Sequence, residues 1–276
     1  MLFILFLLFS LFSLYSSYDQ NLAKHFINIS QASYCVSSVD QWVCTTCEPS
    51  VKLHYIVEKD GSKAIQGFDN YTNSIFTAFR GSSNLHNWIE NIRIRKTVHY
   101  NDSSIQIANG FYKEYNYIKN ELLDNLSILS NKYNTTNLSI TGHSSGAAMA
   151  TIMSYDFLKL YPKYNISYLI QFGSPRVGNL EFVEDFNKYN ITSYRITHYY
   201  DMVPHVPEEF LGFRHISNEI WYNEDNSEYK ICDDYNGVED NTCSNSCSPL
   251  HCTSTSDHLY YLNITMGNDG NDSCHK

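Results

Sequence analysis

The chain is 276 residues long and 43% hydrophobic, enough to bury a substantial core in one domain. Its 29 acidic side chains outnumber 19 basic ones, and the formal net charge of −10 argues against nucleic acid as a partner and against strong adhesion to an anionic membrane. The 8 cysteines, even in number and clustered toward both ends, favour an oxidising compartment.

Leu2 to Leu14 is an almost unbroken run of Leu, Phe and Ile, followed by Tyr15-Ser16-Ser17. This is a signal-peptide pattern too short to span a bilayer, although no Lys or Arg precedes it; it predicts a leader over 1–17 with cleavage near 16–18. No later segment reads as a membrane span. The remainder, 18–276, is expected to be one domain, secreted or held in the lumen of the secretory or endolysosomal pathway. Asn21 to Ser37 reads as a helix with Leu22, Ala23, Phe26 and Ile27 on one face. Val51 to Val57 and Ala64 to Phe68 alternate as strands around Asp60-Gly61, a hairpin signal. Ser74 to Phe79 reads as a buried strand ending at Arg80-Gly81-Ser82-Ser83. Phe111 to Asn131 is a long amphipathic helix. Asn137 to Thr141 alternates like a short strand, and the small-residue run from Ala147 to Leu160 is helical until Tyr161-Pro162. A strand at Ser167 to Phe172, a helix at Leu180 to Tyr189 and a strand at Ser193 to Tyr199 follow. Strands alternating with helices predict an α/β fold with a mainly parallel central sheet flanked by helices.

Between the strand at 137–141 and the helix at 147–160 stands Gly142-His143-Ser144-Ser145-Gly146. It fits G-x-S-x-G, the turn that puts a nucleophilic serine at the apex between a strand and a helix. Such a pentapeptide arises by chance in about one chain in ten of this length, so its setting carries the argument. An apex serine needs a base, and the base needs an orienting carboxylate, in the chain order Ser, Asp or Glu, His. Asp201 fits best because it lies just past the strand at 193–199. Asp185 reads as mid-helix on a solvated face, and Asp233 and Asp234 lie among the cysteines. His258 is the best-placed histidine. His205 and His215 follow Asp201 too closely to arch back over the sheet, and His251 sits among cysteines. Cys44 and Cys47 form a C-x-x-C, but Thr45-Thr46 and Glu48-Pro49 read as loop rather than as a redox motif. Cys247, His251 and Cys252 suggest zinc, although a disulfide is the fate expected of them in a secreted chain; no metal is expected. N-glycosylation sequons occur at Asn28, Asn70, Asn101, Asn125, Asn134, Asn137, Asn165, Asn190, Asn263 and Asn271.

Six segments recur together and in order: Phe79-Arg80-Gly81-Ser82-Ser83, Gly142 to Gly146, Phe172-Gly173-Ser174-Pro175-Arg176-Val177-Gly178-Asn179, Asp201-Met202-Val203-Pro204-His205-Val206-Pro207, Glu219-Ile220-Trp221-Tyr222 and Asp257-His258-Leu259-Tyr260-Tyr261. In them the chain resembles the class 3 lipases, the family of the secreted filamentous-fungal triacylglycerol lipases, from about Asn21 to Cys274. The resemblance implies an α/β-hydrolase with a short helical lid, over about 83–92, covering the active site. It implies Ser144 as nucleophile, Asp201 as orienting acid and His258 as general base. The backbone N–H groups of Ser82 and Ser145 would form the oxyanion hole, with the Ser82 hydroxyl an added donor. In the lid segment Leu85, Trp88, Ile89 and Ile92 share one helical face. By analogy and adjacency the disulfides implied are Cys35–Cys274, Cys44–Cys47, Cys232–Cys243 and Cys247–Cys252. The implied activity is hydrolysis of glycerolipid esters at a lipid–water interface, triacylglycerol first, through an acyl-enzyme and without a cofactor. The competing readings are a phospholipase A1 or feruloyl-type esterase on the same scaffold, and a catalytically silent lipase-like binding protein. A serine peptidase is disfavoured, because a lidded apolar groove does not suit an extended peptide.

Overall fold

The computed structural model describes residues 18–84, 87–88, 95–99, 102–247, 251–267 and 274; the predicted leader and three of the four apolar lid positions, Leu85, Ile89 and Ile92, lie outside them. Helix α1 spans Gln20–Cys35 and starts where the Asp19 side chain accepts the N–H groups of Asn21 and Leu22, two donors that a helix start leaves unpaired. Strands β1 (Val51–Lys59) and β2 (Ser62–Asp69) form the predicted hairpin. Asp60 at φ 52° and Gly61 at φ 86° supply the two left-handed residues its tight turn needs. Strand β3 (Ser74–Phe79) adds antiparallel to β2. A separate ribbon of β4 (Lys96–His99) and β5 (Asp102–Ala108) leads into α2 (Asn109–Tyr133), which ends on Asn134 in the left-handed region.

From β3 onward the sheet is parallel. Strand β6 (Asn137–His143) pairs with β3, β7 (Asn165–Phe172) with β6, β8 (Ser193–His198) with β7, and β9 (Glu219–Tyr222) with β8. Strand β10 (Tyr229–Ile231) closes the far edge antiparallel, giving the order β1-β2-β3-β6-β7-β8-β9-β10. Helices α3 (Ser145–Leu160), α4 (Leu180–Phe186) and the single turn α5 (Thr255–His258) complete the helical layers, and the pair β11 (Tyr260–Tyr261) and β12 (Ile264–Thr265) follows. The central strands are buried on both faces, as crossover helices require. On β3, Ile75 and Phe79 join one cluster with Ile118, Leu122 and Leu126 of α2. The alternate residues Phe76 and Ala78 join the other, with Phe26 and Ile29 of α1. Ser30 of α1 lies against Thr141 of β6, their hydroxyls 2.9 Å apart, so small polar side chains let helix and sheet approach closely.

All four implied disulfides are present, and no free cysteine remains among the described residues. Helix and strand bounds shift by up to three residues from the sequence expectations, and one placement needs correction. Helix α4 stops at Phe186 rather than Tyr189. Asp185 is not on a solvated face; it is half-buried and binds Lys159, Lys188 and the Tyr155 hydroxyl. No helix among the described residues is long and apolar enough to cross a membrane. The consequence for function is topological: β3, β6, β7 and β8 all point their C-terminal ends the same way, and ligands of open α/β sheets bind at that end.

Candidate active site

Strand β6 delivers Ser144 to that end. The residue adopts φ 60° and ψ −133°, a backbone conformation that costs a non-glycine residue about 1–3 kcal/mol and is held only by its surroundings. Its N–H donates to the carbonyl of Phe172 at the end of β7 at 3.0 Å, and its carbonyl accepts the N–H of Ala147 at 2.9 Å. The motif glycine Gly146 packs so tightly on β3 that a Cβ there would lie 2.3 Å from the Phe79 carbonyl oxygen, which is why no larger residue fits. The Ser144 side chain therefore stands between the end of β6 and the start of α3, buried, with its Oγ free of any protein partner among the described residues.

His258 ends α5, whose first turn is closed by the Ser254 hydroxyl accepting the Asp257 N–H at 3.0 Å. It lies against the turn after β7: Gly173 has φ 54°, and a Cβ there would come within 2.9 Å of the His258 ring. The Nδ1–H of His258 donates to Asp201 Oδ2 at 2.8 Å. That bond assigns the ring's proton to Nδ1 and leaves Nε2 as a lone pair, and Nε2, like Ser144 Oγ, is buried without a protein partner among the described residues. Asp201 follows β8 and also accepts the Tyr261 hydroxyl, and through Oδ1 the Val203 N–H at 2.8 Å. Burial alone would raise this carboxyl, but the neighbouring His258 and the three hydrogen bonds outweigh it and hold Asp201 below the usual carboxylate range. Two backbone bonds zip the acid loop to the base loop: Met202 N–H to the Ser254 carbonyl at 3.3 Å, and Ser254 N–H to the Tyr200 carbonyl at 3.1 Å.

Behind the apex, His143 ties three loops together. Its Nε2–H donates to the His258 carbonyl at 2.8 Å, its Nδ1 accepts the Tyr34 hydroxyl at 2.9 Å, and the Tyr34 oxygen accepts the Gly81 N–H at 3.0 Å. Burial, reinforced by His258, pushes the His143 imidazole down to about 3, so it is neutral at ordinary pH and the tautomer is set by its two bonds. Its ring stacks on that of His258 with centroids 4.5 Å apart. Gly81 precedes Ser82, so this chain of bonds runs from α1 to the loop after β3 and on to the backbone of the histidine.

Ser145 is the first residue of α3, whose N–H the helix cannot pair, and Ser82 follows β3; among the described residues neither backbone N–H has a backbone partner. The Ser82 hydroxyl donates to the Asn84 carbonyl at 3.1 Å and accepts the Asn84 N–H at 3.2 Å. Asn84 starts a helical turn by accepting the Asn87 N–H on its side chain and the Trp88 N–H on its carbonyl. Trp88 is half-buried and stacks on Phe111 at 5.9 Å.

The remaining candidates lie elsewhere. His205 is half-buried; its ring is pushed down to about 4 by burial and by the Arg176 charge. Buried His215 donates to the Pro204 carbonyl at 2.7 Å. Asp234 pairs with buried Arg195 at 3.1 Å, Asp233 is exposed, and His251 is exposed beside the Cys247–Cys252 bridge. The sulfurs of Cys247 and Cys252 approach His205, but both are spent in their disulfide and cannot serve as thiolate ligands. Tyr261, Tyr34, His143 and the pair Arg176–Glu239 were not singled out for the site from the sequence. Tyr261 carries a faint signal, three residues past His258; Tyr34 carries none, since only the fold brings α1 beside the loop after β3. Next to Asp201 an open cleft of about 360 Å³ is lined by Met202, Val206, Glu208, Phe210 and Cys252.

Comparison with known proteins gives concordant likenesses. The model of the family described as lipase (class 3) matches residues 76–211. The chain is 28% identical over 256 residues to a lipase of Rhizomucor miehei, covering 90% of this chain and 69% of the relative. It is 30% identical over 182 residues to a secreted mono- and diacylglycerol lipase of Fusarium solani, covering 63% of this chain and 54% of that protein. Among solved structures it resembles lipase II from Rhizopus niveus, with a TM-score of 0.83 and 27% identity over 92% of this chain and 96% of the other. The chain spans between 63% and 69% of the length of the Rhizomucor and Rhizopus lipases that it matches.

Proposed function

Since the chain belongs to the class 3 lipases, we propose that it is a secreted serine hydrolase of glycerolipid carboxylic esters, with triacylglycerol as its first substrate class. The observation that carries this reading is the buried, unpartnered Ser144 Oγ on a strained apex beside a histidine whose Nδ1–H is bonded to Asp201. His258 Nε2 is free to accept the hydroxyl proton of Ser144 as Oγ attacks the ester carbonyl, an Oγ–Nε2 hydrogen bond forming when substrate fills the site. The carbonyl oxygen, now an anion, accepts the N–H groups of Ser82 and Ser145. Each such donor is worth about 10²–10³ in rate, on measurements from another serine hydrolase. His258 then returns the proton to the departing alcohol. In the second half water attacks the acyl-enzyme, His258 takes its proton, and the acid is released from Ser144. Asp201 keeps the Nδ1–H tautomer in place and stabilises the imidazolium that forms; no step asks for a cofactor.

Residues 1–17 are the leader and 18–276 the catalytic domain in this reading, and the four disulfides suit an extracellular or secretory-lumen protein. The segment 83–92 is the lid, with Trp88 on its apolar face. Ser144→Ala is expected to fold normally and to lose both ester hydrolysis and labelling by a serine-directed fluorophosphonate. Labelling at another residue, or retained hydrolysis, would remove Ser144 from its role. A folded, unlabelled wild-type protein would favour a silent binding protein. Products released from a mixed emulsion of triacylglycerol, diacylglycerol and phospholipid test the substrate class, and preferential release from phospholipid would move the chain to the phospholipases.

A further inference from the structure

Four exposed sequons share a placement that spacing along the chain does not reveal. Asn70 follows β2 and precedes β3, Asn134 precedes β6, Asn165 begins β7 and Asn190 precedes β8; all four are exposed. The register puts them at one end of the sheet, because Asn165 is the cross-strand partner of Asn137, and Ile75 of Leu138. Parallel strands carry their N-terminal ends together, so this is the end opposite Ser82, Ser144 and Asp201. Strand β6 runs from Asn137 to His143, a rise of about 20 Å, and that length separates the sequons from the catalytic end.

The side-chain amides are chemically available. Asn70 Nδ2 donates one hydrogen to the Ser50 carbonyl at 2.7 Å and Asn165 Nδ2 one to Asn137 Oδ1 at 3.1 Å, each in an exposed setting with a second N–H left over. Asn134 sits at φ 49°, turned outward as the last cap of α2. Other described sequons differ: Asn137 shares that end but is half-buried, its side-chain oxygen accepting the Asn165 amide, and Asn263 is exposed but lies in the β11–β12 turn shortly after His258, away from that end. Asn125 is 7% exposed within α2, where an oligosaccharide has no room, and Asn28 is partly buried with its amide on Glu48 at 2.6 Å.

We propose that Asn70, Asn134, Asn165 and Asn190 are N-glycosylated, and that their carbohydrate covers the strand N-terminal end so that the opposite, catalytic end is the one that meets a lipid surface. The proposal rests on the reading of the chain as a secreted hydrolase of glycerolipids. In the modification the amide nitrogen attacks the anomeric carbon of a lipid-diphosphate-linked oligosaccharide. The N–C bond forms, the anomeric C–O bond breaks, one amide proton is lost, and the lipid diphosphate leaves with the electron pair. The donor acts on the unfolded chain, and the fold then tolerates the product where the amide faces solvent. Bulky, strongly hydrated sugar at one end disfavours lipid contact there, and a net charge of −10 offers no competing attraction to an anionic surface.

The test uses the full chain secreted from a eukaryotic host. Glycan removal by a peptide amidase in heavy-oxygen water converts each occupied Asn to labelled Asp, which peptide mass spectrometry locates. Label at Asn70, Asn134, Asn165 and Asn190 and none at Asn125 is expected. Label at Asn125, or at fewer than three of the four, overturns the site assignment. The orienting role is tested by a sequon placed at the catalytic end with Glu208→Asn and Phe210→Thr, where Phe210 is 85% exposed. With that sequon glycosylated, hydrolysis of emulsified relative to dissolved ester should fall at least tenfold and recover when the glycan is removed from the same variant. An unchanged ratio overturns the orienting role. Absence of any ester hydrolysis by the unaltered protein would sink the functional reading, while the peptide map would still decide the four sites.

Discussion

Arg176 and Glu239 form a buried pair beneath the loop that carries Asp201, and replacing Glu239 by Gln should change the acid stability of the whole molecule. Arg176 Nε and Nη2 donate to the two Glu239 oxygens at 2.6 and 2.8 Å, and Nη1 donates to the carbonyls of His205 at 2.7 Å and Pro207 at 3.1 Å. Burial works against the Glu239 charge, but the Arg176 bonds and the nearby Arg176 and Arg195 charges hold the carboxyl down at about 2. An unfolded Glu titrates near 4.3, so the folded value is the lower and the native state binds fewer protons between the two. The sign follows: this group's stabilisation is fully present above about pH 4.3 and is lost as pH falls toward 2. At 1.36 kcal/mol per pH unit the gap is worth roughly 3 kcal/mol. Glu239→Gln keeps the shape and removes the titration. It should lower stability at pH 7 by roughly 3 kcal/mol, the cost of leaving a buried Arg short of its partner, and slacken the loop that positions Asp201. Urea unfolding with the disulfides intact, followed from pH 5 to pH 2, measures both. The wild type should lose roughly 3 kcal/mol more over that range than the variant, since His205 and Asp201 titrate in each. Parallel curves for the two proteins would refute the reasoning.

Other substitutions test other parts. His25 lies buried between Asp69 at 2.8 Å and Glu48 at 3.6 Å. Burial alone would lower its pKa, but the two carboxylates raise it to about 9, so its contribution is complete below about pH 6.5 and is lost as pH rises through 9. His25→Gln should remove roughly 3 kcal/mol of that alkaline loss, read from unfolding curves at pH 6 and pH 9.5. Tyr261→Phe deletes one of three donors to the Asp201 carboxylate; a fall in kcat of about tenfold to a hundredfold with KM unchanged is expected, at 1.5–3 kcal/mol for a bond to a charged group. A shift confined to KM would mean Tyr261 shapes the substrate site instead. Trp88→Ala removes the ring stacked on Phe111 and should change the ratio of rates on emulsified and dissolved ester; an unaltered ratio would strip Trp88 of its place on a moving cover.

The sheet was legible because its strands are apolar, short and punctuated. Ser74–Phe79 is bounded by Asn73 and Arg80-Gly81, and the hairpin by Asp60-Gly61, so local pattern and final structure agree. Strands β4, β5, β9 and β10 were not anticipated as strands, for a physical reason: they are two-sided or polar, as in Asp102-Ser103-Ser104, and owe their form to neighbours rather than to alternation. The serine was legible from the steric demand on its flanking residues. Asp201 and His258 could be ranked by position after strands, while the family likeness rather than spacing settled them. The Tyr34–His143–Gly81 connection was not legible, because it joins residues 34, 81, 143 and 258 through a hydroxyl and an imidazole that local pattern cannot tell from ordinary core polar groups.

What holds the site together is backbone as much as side chain. Ser144 is bonded through its N–H to the end of β7, His258 through its carbonyl to His143, and the Asp201 loop through two peptide bonds' worth of pairing to the loop before His258. Each loop is thus fixed by a partner on another loop, and none of the three side chains can shift without disturbing a buried hydrogen bond elsewhere, at about 1–3 kcal/mol for each group left unpaired. That interlock is what allows Ser144 to keep a strained φ of 60°. The Cys232–Cys243 segment belongs to the same interlock: it brings Glu239 to Arg176, and Arg176 grips the carbonyls just after Asp201. Loosening that segment should therefore reach the chemistry through Asp201 before it unfolds the sheet.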